Sequence, residues 1–319
     1  MKEIQIWEFI KSHLNKNEKV ILTVVLDHKK GSPGKQGFKM AVSSNGDTSG
    51  SIGGGIMEYK KIGECKEYLK KNINVSKIET VYHNKKKDVI NSGLICSGSQ
   101  TNFIFSIQKK DVKNVNRILN ALKNRTPGKI IYTLKGISFH YESKNTDDYS
   151  FNYKNDNDWK FEQATLRKNI VYIAGGGHVG IALCKVLSLL DFYIIIYDNR
   201  KDLKKTYSEL FAHKIIIDSF SNLSRAVEDD SYIVIVTTGF ESDKEVLMQV
   251  IGRKVKYIGL MGTIAKIKKI FSELKKEGIS GKLLNKIHAP VGIDINSNTP
   301  EEIAVSIAAE IIREKNKDL

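Results

Sequence analysis

Three glycines at GxGxxG spacing, Gly175, Gly177 and Gly180, are the residues here best suited to chemistry on a phosphate-bearing ligand. They follow a short apolar run, Ile170 to Ala174, and open an apolar stretch, Val179 to Leu190, with helical character. In that setting Gly175 permits a tight turn, Gly177 lets a pyrophosphate approach the backbone, and Gly180 allows helix and strand to pack closely. The amides of the turn, His178 included, and the positive end of the helix dipole would meet the phosphates. A second apolar run, Phe192 to Tyr197, ends in Asp198, where an acid commonly holds a ribose 2′-hydroxyl. Asp198 favours NAD, and Arg200 two residues later leaves NADP open.

Other candidate residues lie outside this turn. Gly50-Ser-Ile-Gly-Gly-Gly55 sits between a hairpin and a helix. Gly53, Gly54 and Gly55 are either an amide cradle for an anion or cofactor, or a tight turn. Cys96 lies in a small-residue loop with glycines on both sides, where a thiol is either exposed and reactive or a small packing residue. Cys65 and Cys184 fall within expected helices as packing residues. Near the end, His288 and Asp294 share a non-helical segment and either line a site or pin a loop. Metal-ligand spacings and a nucleophile elbow are missing from the sequence.

The elements that must position these residues fall into two halves. Ile4, Trp7, Ile10 and Leu14 recur at helical spacing, predicting a helix over 3–15. Strands are expected at 19–26, 40–43, 77–82 and 101–107, with a hairpin turn at Asn45-Gly46. Helices are expected at 56–71 and, capped by Asp111, at 111–123; a strand pair is expected at 129–134 and 136–141. Residues 142–160 are polar and without periodicity, so the boundaries predicted are an α+β domain over 1–141, a linker over 142–168, and a Rossmann-type domain over 169–319. Beyond Asp198, strands at 213–218, 231–237 and 256–260 alternate with helices at 221–228, 242–252, 264–277 and 300–315. That alternation predicts an α/β architecture with a doubly wound parallel sheet. Thr299-Pro-Glu-Glu302 opens the last helix with a capping box.

Composition narrows the class. With 319 residues, 41% hydrophobic and 27% charged, the chain is long enough for two cored domains. It lacks an apolar run of membrane-spanning length, about 18 residues or more, and its start lacks the plan of a signal peptide. Three cysteines do not make a disulfide framework, so a cytoplasmic location is expected. The net charge of +15 comes mostly from lysines spread along helices and loops. The clusters Lys85-Lys86-Lys87 and Lys266, Lys268, Lys269 are not interleaved with aromatics, so no nucleic-acid partner is expected.

Taken together, several blocks resemble the xanthine dehydrogenase accessory factor family, also called XdhC/CoxI. In the N-terminal half these are Gly31-Ser-Pro-Gly-Lys-Gln-Gly-Phe-Lys-Met40, Gly50-Ser-Ile-Gly-Gly-Gly55 with Glu58, and Cys96-Ser-Gly98. In the C-terminal half they are Ala174-Gly-Gly-Gly-His-Val-Gly180, Tyr197-Asp-Asn-Arg200, Gly259-Leu-Met-Gly-Thr263, and His288-Ala-Pro-Val-Gly-Ile-Asp294 through Thr299 to Ile307. The resemblance implies a protein that binds the molybdenum cofactor (molybdopterin), supports its sulfuration, and delivers it to a molybdenum hydroxylase apoenzyme such as xanthine dehydrogenase. It further implies a chaperone more than a catalyst, a homodimer, and transient contact with a sulfur donor. Cys96 would then contact molybdenum or sulfur, as suits a soft ligand.

Three positions depart from the family pattern. Ile56 stands where part of the family has a cysteine, Phe240 where a histidine is frequent, and Ser97 where a glycine is usual. The alternative functions are an NAD(P)-dependent oxidoreductase using His288 for proton transfer, and a nucleotide-binding regulatory protein.

Overall fold

The apolar run after Lys19 forms β1 (Val20–His28), and its alternation decides how the N-terminal half is built. Val20, Leu22, Val24 and Leu26 face one core, while Ile21 and Val25 face another. A strand buried on both sides reads as a continuous apolar run, as this one does. The structure is a computed structural model that describes residues 2–82, 98–142, 147–166, 169–190, 192–201 and 211–317. It divides into two units, 1–167 and 168–319.

In the first unit α1 (Lys2–Asn15) is followed by β1, β2 (Lys39–Ser43), β3 (Thr48–Ser51), α2 (Gly55–Lys70), β4 (Ser76–Tyr82) and β5 (Ser99–Ile107). These strands pair antiparallel in the order β3-β2-β1-β5-β4. One face of this sheet shares a core with α1, through Ile6, Trp7 and Ile10, and with α3 (Val112–Lys123), through Val115, Ile118 and Leu119. The other face is covered by α2, whose Met57 and Cys65 are buried. A second antiparallel sheet follows, with order β7-β6-β9-β8: β6 (Gly128–Thr133), β7 (Gly136–Tyr141), β8 (Tyr149–Asn155) and β9 (Asp158–Ala164).

Two expectations are corrected here. The stretch read as a linker, 142–168, carries the β8–β9 hairpin, paired with β6 through β9. A period-2 signal is present in Tyr149, Phe151 and Tyr153 and in Trp159 and Phe161. It is hidden because β8 is an edge strand whose other positions face water. Asp111 stands at the N-cap position of α3, but its side chain makes no capping hydrogen bond to that helix. A short 3₁₀ turn, Lys109–Asp111, precedes that helix, and the Asp111 carboxylate accepts the Gln108 amide at 2.8 Å in a capping box.

The second unit is a parallel sheet, β12-β11-β10-β13-β14, with ranges β10 (Ile170–Ala174), β11 (Tyr193–Asp198), β12 (Lys214–Ile217), β13 (Tyr232–Ile235) and β14 (Tyr257–Leu260). Val171 and Ile173 point to the face covered by α4 (His178–Ser188) and α9 (Pro300–Lys315). Ile170, Tyr172 and Ala174 point to the face covered by α5 (Leu223–Ala226), α6 (Phe240–Val250), α7 (Ile264–Lys276) and α8 (Gly281–Leu284). The order reverses between β10 and β13, and in such sheets ligands bind at that switch, beyond the carboxyl ends of the strands. Among the described residues no helix is long and apolar enough to cross a membrane.

Candidate functional site

The glycine turn lies at that switch, and its three glycines have three different reasons to be glycine. Gly175 has φ +110°, and a Cβ there would lie 2.5 Å from the Val236 carbonyl oxygen. A Cβ on Gly180 would lie 2.0 Å from the Gly175 oxygen, so α4 can rest on the turn only without a side chain. A Cβ on Gly177, the residue before α4, would meet nothing within 4 Å. The open position is the one at which a pyrophosphate would approach. His178 is exposed at the first turn of α4.

Asp198, at the end of β11, is 1% exposed. Its Oδ2 accepts the Gly176 amide at 2.6 Å and Arg200 Nη2 at 2.8 Å; its Oδ1 accepts the Arg200 amide and Nε, both at 2.9 Å. Burial works against its charge, but the Arg200 side chain and the two amides outweigh it and hold the carboxyl below the usual range. The group expected to hold a ribose hydroxyl is thus fully engaged within the chain.

The neighbouring loops carry a pair that sequence reasoning missed. Asp243, fully buried in the first turn of α6, accepts the Thr237 hydroxyl and pairs with Lys266 from the first turn of α7. Burial holds its carboxyl above the usual range despite those two partners. The pair ties the loop after β13 to the loop after β14. Lys269, from the same basic cluster, lies over the Phe240 ring at 4.6 Å.

His288 is braced. It forms a parallel bridge with Gly259 at the sheet edge, its ring lies tilted against that of Tyr257 with centroids 4.6 Å apart, and its Nδ1 lies 3.3 Å from Glu310 Oε1. Glu310, 5% exposed on α9, also accepts the Tyr257 hydroxyl at 2.7 Å, the Gly292 amide at 2.8 Å and Arg313 Nη2 at 2.9 Å. Asp294 is exposed, and its carboxylate accepts the Asn296 amide at 3.2 Å, a local turn contact. These contacts give both residues a part in holding the 288–298 segment. A buried acid in mid-helix was the missing signal, and Glu310 carries no mark in the sequence that separates it from a surface glutamate.

In the first unit the three glycine-bearing blocks meet. A Cβ on Gly34 would lie 2.2 Å from Gln100 Oε1 and from the Ile52 oxygen; one on Gly53 would lie 2.5 Å from the Gly34 nitrogen; one on Gly98 would lie 2.4 Å from the Ser32 nitrogen. Gln100, fully buried, accepts the Ser32 hydroxyl at 3.1 Å and donates to the Ile52 oxygen at 3.1 Å and to Asn102 Oδ1 at 2.8 Å. Gly53, Gly54 and Gly55 all have positive φ. Their neighbourhood already contains an anion: Glu58 Oε2 accepts the Ser51 hydroxyl at 2.6 Å, the Ile52 amide at 2.8 Å and the Gly54 amide at 3.0 Å. The Gly53 amide donates to Ser51 Oγ at 3.1 Å. Ile56 and Tyr59, on the first turns of α2, are exposed.

Cys96 and Ser97 lie outside the described residues, as does the cluster Lys85-Lys86-Lys87. Cys65 and Cys184 are buried, and burial pushes their thiols up to about 11 and about 12, so both are poor nucleophiles. Among the described residues no group of His, Cys, Asp and Glu is placed to hold a metal ion. Lys39, also missed from sequence, is buried among Glu3, the Gly37 oxygen and Gln163 and ties α1 and β9 to β2.

Fold and site define a two-unit protein: a Rossmann-type unit with an open glycine turn, and an antiparallel unit in which glycine loops converge on a buried glutamine. The family models agree with that division. A model described as the XdhC Rossmann domain matches residues 171–311, and one described as the XdhC and CoxI family matches residues 13–77. The chain belongs to the XdhC and CoxI family.

Among curated proteins it is 31% identical over 156 residues to the uncharacterized protein YqeB of Escherichia coli, covering 47% of this chain and 28% of that one. It is 32% identical over 85 residues to a Bacillus subtilis protein named as a probable subunit of xanthine dehydrogenase, covering 26% of this chain and 23% of that one. The aligned parts thus span about a quarter of the length of these relatives. A solved structure described as a xanthine dehydrogenase (BH1974) from Bacillus halodurans superposes with TM-score 0.74 at 20% identity, covering 100% of this chain and 97% of that one. That likeness shows the shared fold.

Proposed function

We propose that this chain is an accessory protein in the maturation of a molybdenum hydroxylase such as xanthine dehydrogenase. It binds the molybdenum cofactor as cargo, supports its sulfuration, and delivers it to the apoenzyme. The observation that carries this reading is the meeting of the Gly31–Gly34, Ile52–Gly54 and Gly98–Gln100 segments at one corner, because these are the N-terminal blocks by which the chain resembles its family. Cys96 precedes Gly98 by two residues in the sequence, and the family resemblance gives its thiol a part in contacting molybdenum or sulfur. Family membership and the name of the Bacillus subtilis relative support the same reading. The corner's own acid, Glu58, means that an anionic cargo binds beside the Glu58 contact or displaces it. The protein acts as a cytoplasmic homodimer with transient contacts to a sulfur donor and the target enzyme.

The test is purification under anaerobic, reducing conditions from cells that make the cofactor, followed by molybdenum analysis and pterin fluorescence. Copurification of near-stoichiometric molybdenum and pterin is expected; their absence counts against the reading. Cys96→Ala is expected to lower cofactor retention, and unchanged retention removes the thiol from the mechanism.

A second reading concerns the Rossmann unit alone. The open space at Gly177 favours a bound nucleotide, either the dinucleotide form of the cofactor or NAD(P), with a regulatory rather than catalytic role.

A further inference from the structure

We infer that the first unit carries a further ligand site, remote from the glycine corner, which takes a small phosphate monoester with an apolar body, and that Lys19, Lys109 and Lys110 hold the phosphate. The inference does not depend on the cargo reading.

The site lies where three connections meet at one end of the first sheet. β1, β5 and β4 are neighbours there: Val20, at the start of β1, pairs with Ile107 at the end of β5, and Ser76, at the start of β4, pairs with Phe105. The connections beyond those ends bound a cavity of about 340 Å³. Small-ligand pockets run from about 300 to 1,000 Å³. The floor is apolar, from the buried Leu14 and Ile107, and Asn17, Asn74 and Gln108 add polar walls. Asn17 and Asn72 have φ of 60° and 58°. That left-handed conformation, which Asn tolerates at helix ends, turns the chain from α1 and α2 into the next strand within a few residues.

Charge decides the ligand. Lys19, Lys109 and Lys110 line the cavity and are exposed. Among the described residues none of the three is paired with a carboxylate. Lys19 Nζ donates to Asn72 Oδ1, and an ammonium has two further donors. The acids beside these lysines in the chain are already engaged. Glu18 contacts Nδ1 of the buried His13, and Asp111 accepts the Gln108 amide at 2.8 Å. A concave wall of one sign concentrates its potential on an incoming ion. A phosphate monoester brings about −1.5 to −2 charges near neutral pH and three acceptor oxygens, where a carboxylate brings one charge. Lysine binds phosphate as a point charge, and the apolar floor takes the body of the ligand.

This is not the cargo corner. His28 pairs with Gln100 and Val20 with Ile107, so the two sites stand at opposite ends of the β1–β5 ladder. At about 3.3 Å per residue they are roughly 25 Å apart.

The experiment is calorimetric titration of the full chain, in about 0.15 M salt, with phenyl phosphate, inorganic phosphate and benzoate. Saturable binding of phenyl phosphate is expected, about tenfold or more tighter than either of the others. Lys19→Ala combined with Lys109→Ala is expected to weaken it about tenfold or more. Lys275→Ala combined with Lys276→Ala, the same charge change on two exposed lysines of α7, is expected to leave it unchanged. If Lys19→Ala disturbs the fold, Lys109→Ala with Lys110→Ala carries the same test. Equal affinity for inorganic phosphate overturns the part given to the apolar floor, and equal affinity for benzoate overturns the assignment to phosphate. Affinity retained in the cavity variants, or lost equally in the α7 variant, overturns the site. No saturable binding overturns the inference outright. Each of these outcomes leaves the molybdenum and pterin content of the purified chain untouched, so this inference and the cargo reading fail separately.

Discussion

The Glu58 carboxylate oxygen Oε2 lies 3.0 Å from the Gly54 amide, and the same oxygen takes the Ile52 amide and the Ser51 hydroxyl. An acid from the first turn of α2 thus satisfies the glycine loop that leads into that helix. Gly54 itself sits at φ 75°, ψ −172°, a conformation essentially confined to glycine. Glu58→Ala is expected to lower the unfolding free energy by about 2 kcal/mol, since it leaves the loop donors without their shared acceptor. Glu58→Gln, which keeps an acceptor, is expected to cost less. Urea unfolding of the three proteins checks this; an unchanged midpoint in Glu58→Ala contradicts it.

The glycine turn separates packing from binding. Gly180→Ala drives a methyl into the Gly175 carbonyl and is expected to destabilise the second unit by about 3 kcal/mol or more. Gly177→Ala adds a methyl in open space at an ordinary φ of −78°. It is expected to leave the melting temperature unchanged or slightly raised while weakening nucleotide binding. Thermal melts paired with ligand titration read both effects, and a Gly177→Ala protein that melts early would show that the turn is tighter than its open space at Gly177 implies.

Glu310 is expected to matter more than His288. Glu310→Ala strips a buried partner from Tyr257, Gly292, His288 and Arg313, at a cost of about 3 kcal/mol. His288→Gln removes one 3.3 Å contact and a tilted ring contact and is expected to cost about 1 kcal/mol. Equilibrium unfolding of the two variants ranks them. A catalytic His288 would instead show a loss of activity without this stability ordering.

Acid should weaken the first unit through Glu64. Burial opposes its ionisation, but hydrogen bonds from Lys61 and Lys77 prevail and bring the carboxyl down to about 2. A carboxyl depressed in the folded state contributes stability that is present above its unfolded pKa and is lost as pH falls through the folded value. The loss should therefore run from roughly pH 4.5 down to about pH 2. Glu64→Gln is expected to flatten the fall of stability with acidification over that window. Denaturant midpoints measured at several pH values check the slope, and parallel curves for the two proteins would contradict it.

Much of the fold was legible because its signals are local. The period of Ile4, Trp7, Ile10 and Leu14 announces α1, and the capping box at Thr299 and Glu302 places the start of α9, with the two partners bonded as expected. The alternation of strands and helices after Ile170 announces the parallel sheet. The β8–β9 hairpin was missed because its polar, solvent-facing positions hide a period of two.

By itself the sequence determined the Rossmann topology, the glycine turn and the family, since each is written in spacing along the chain. Only the tertiary structure decided what the charged groups do. It pairs Asp198 with Arg200, places Glu58 among the glycine amides, and gathers His288 and Tyr257 around Glu310. The physical reason is that a charge is silent in sequence: its role depends on which donors surround it and how little water remains. Those are properties of elements brought together from distant parts of the chain.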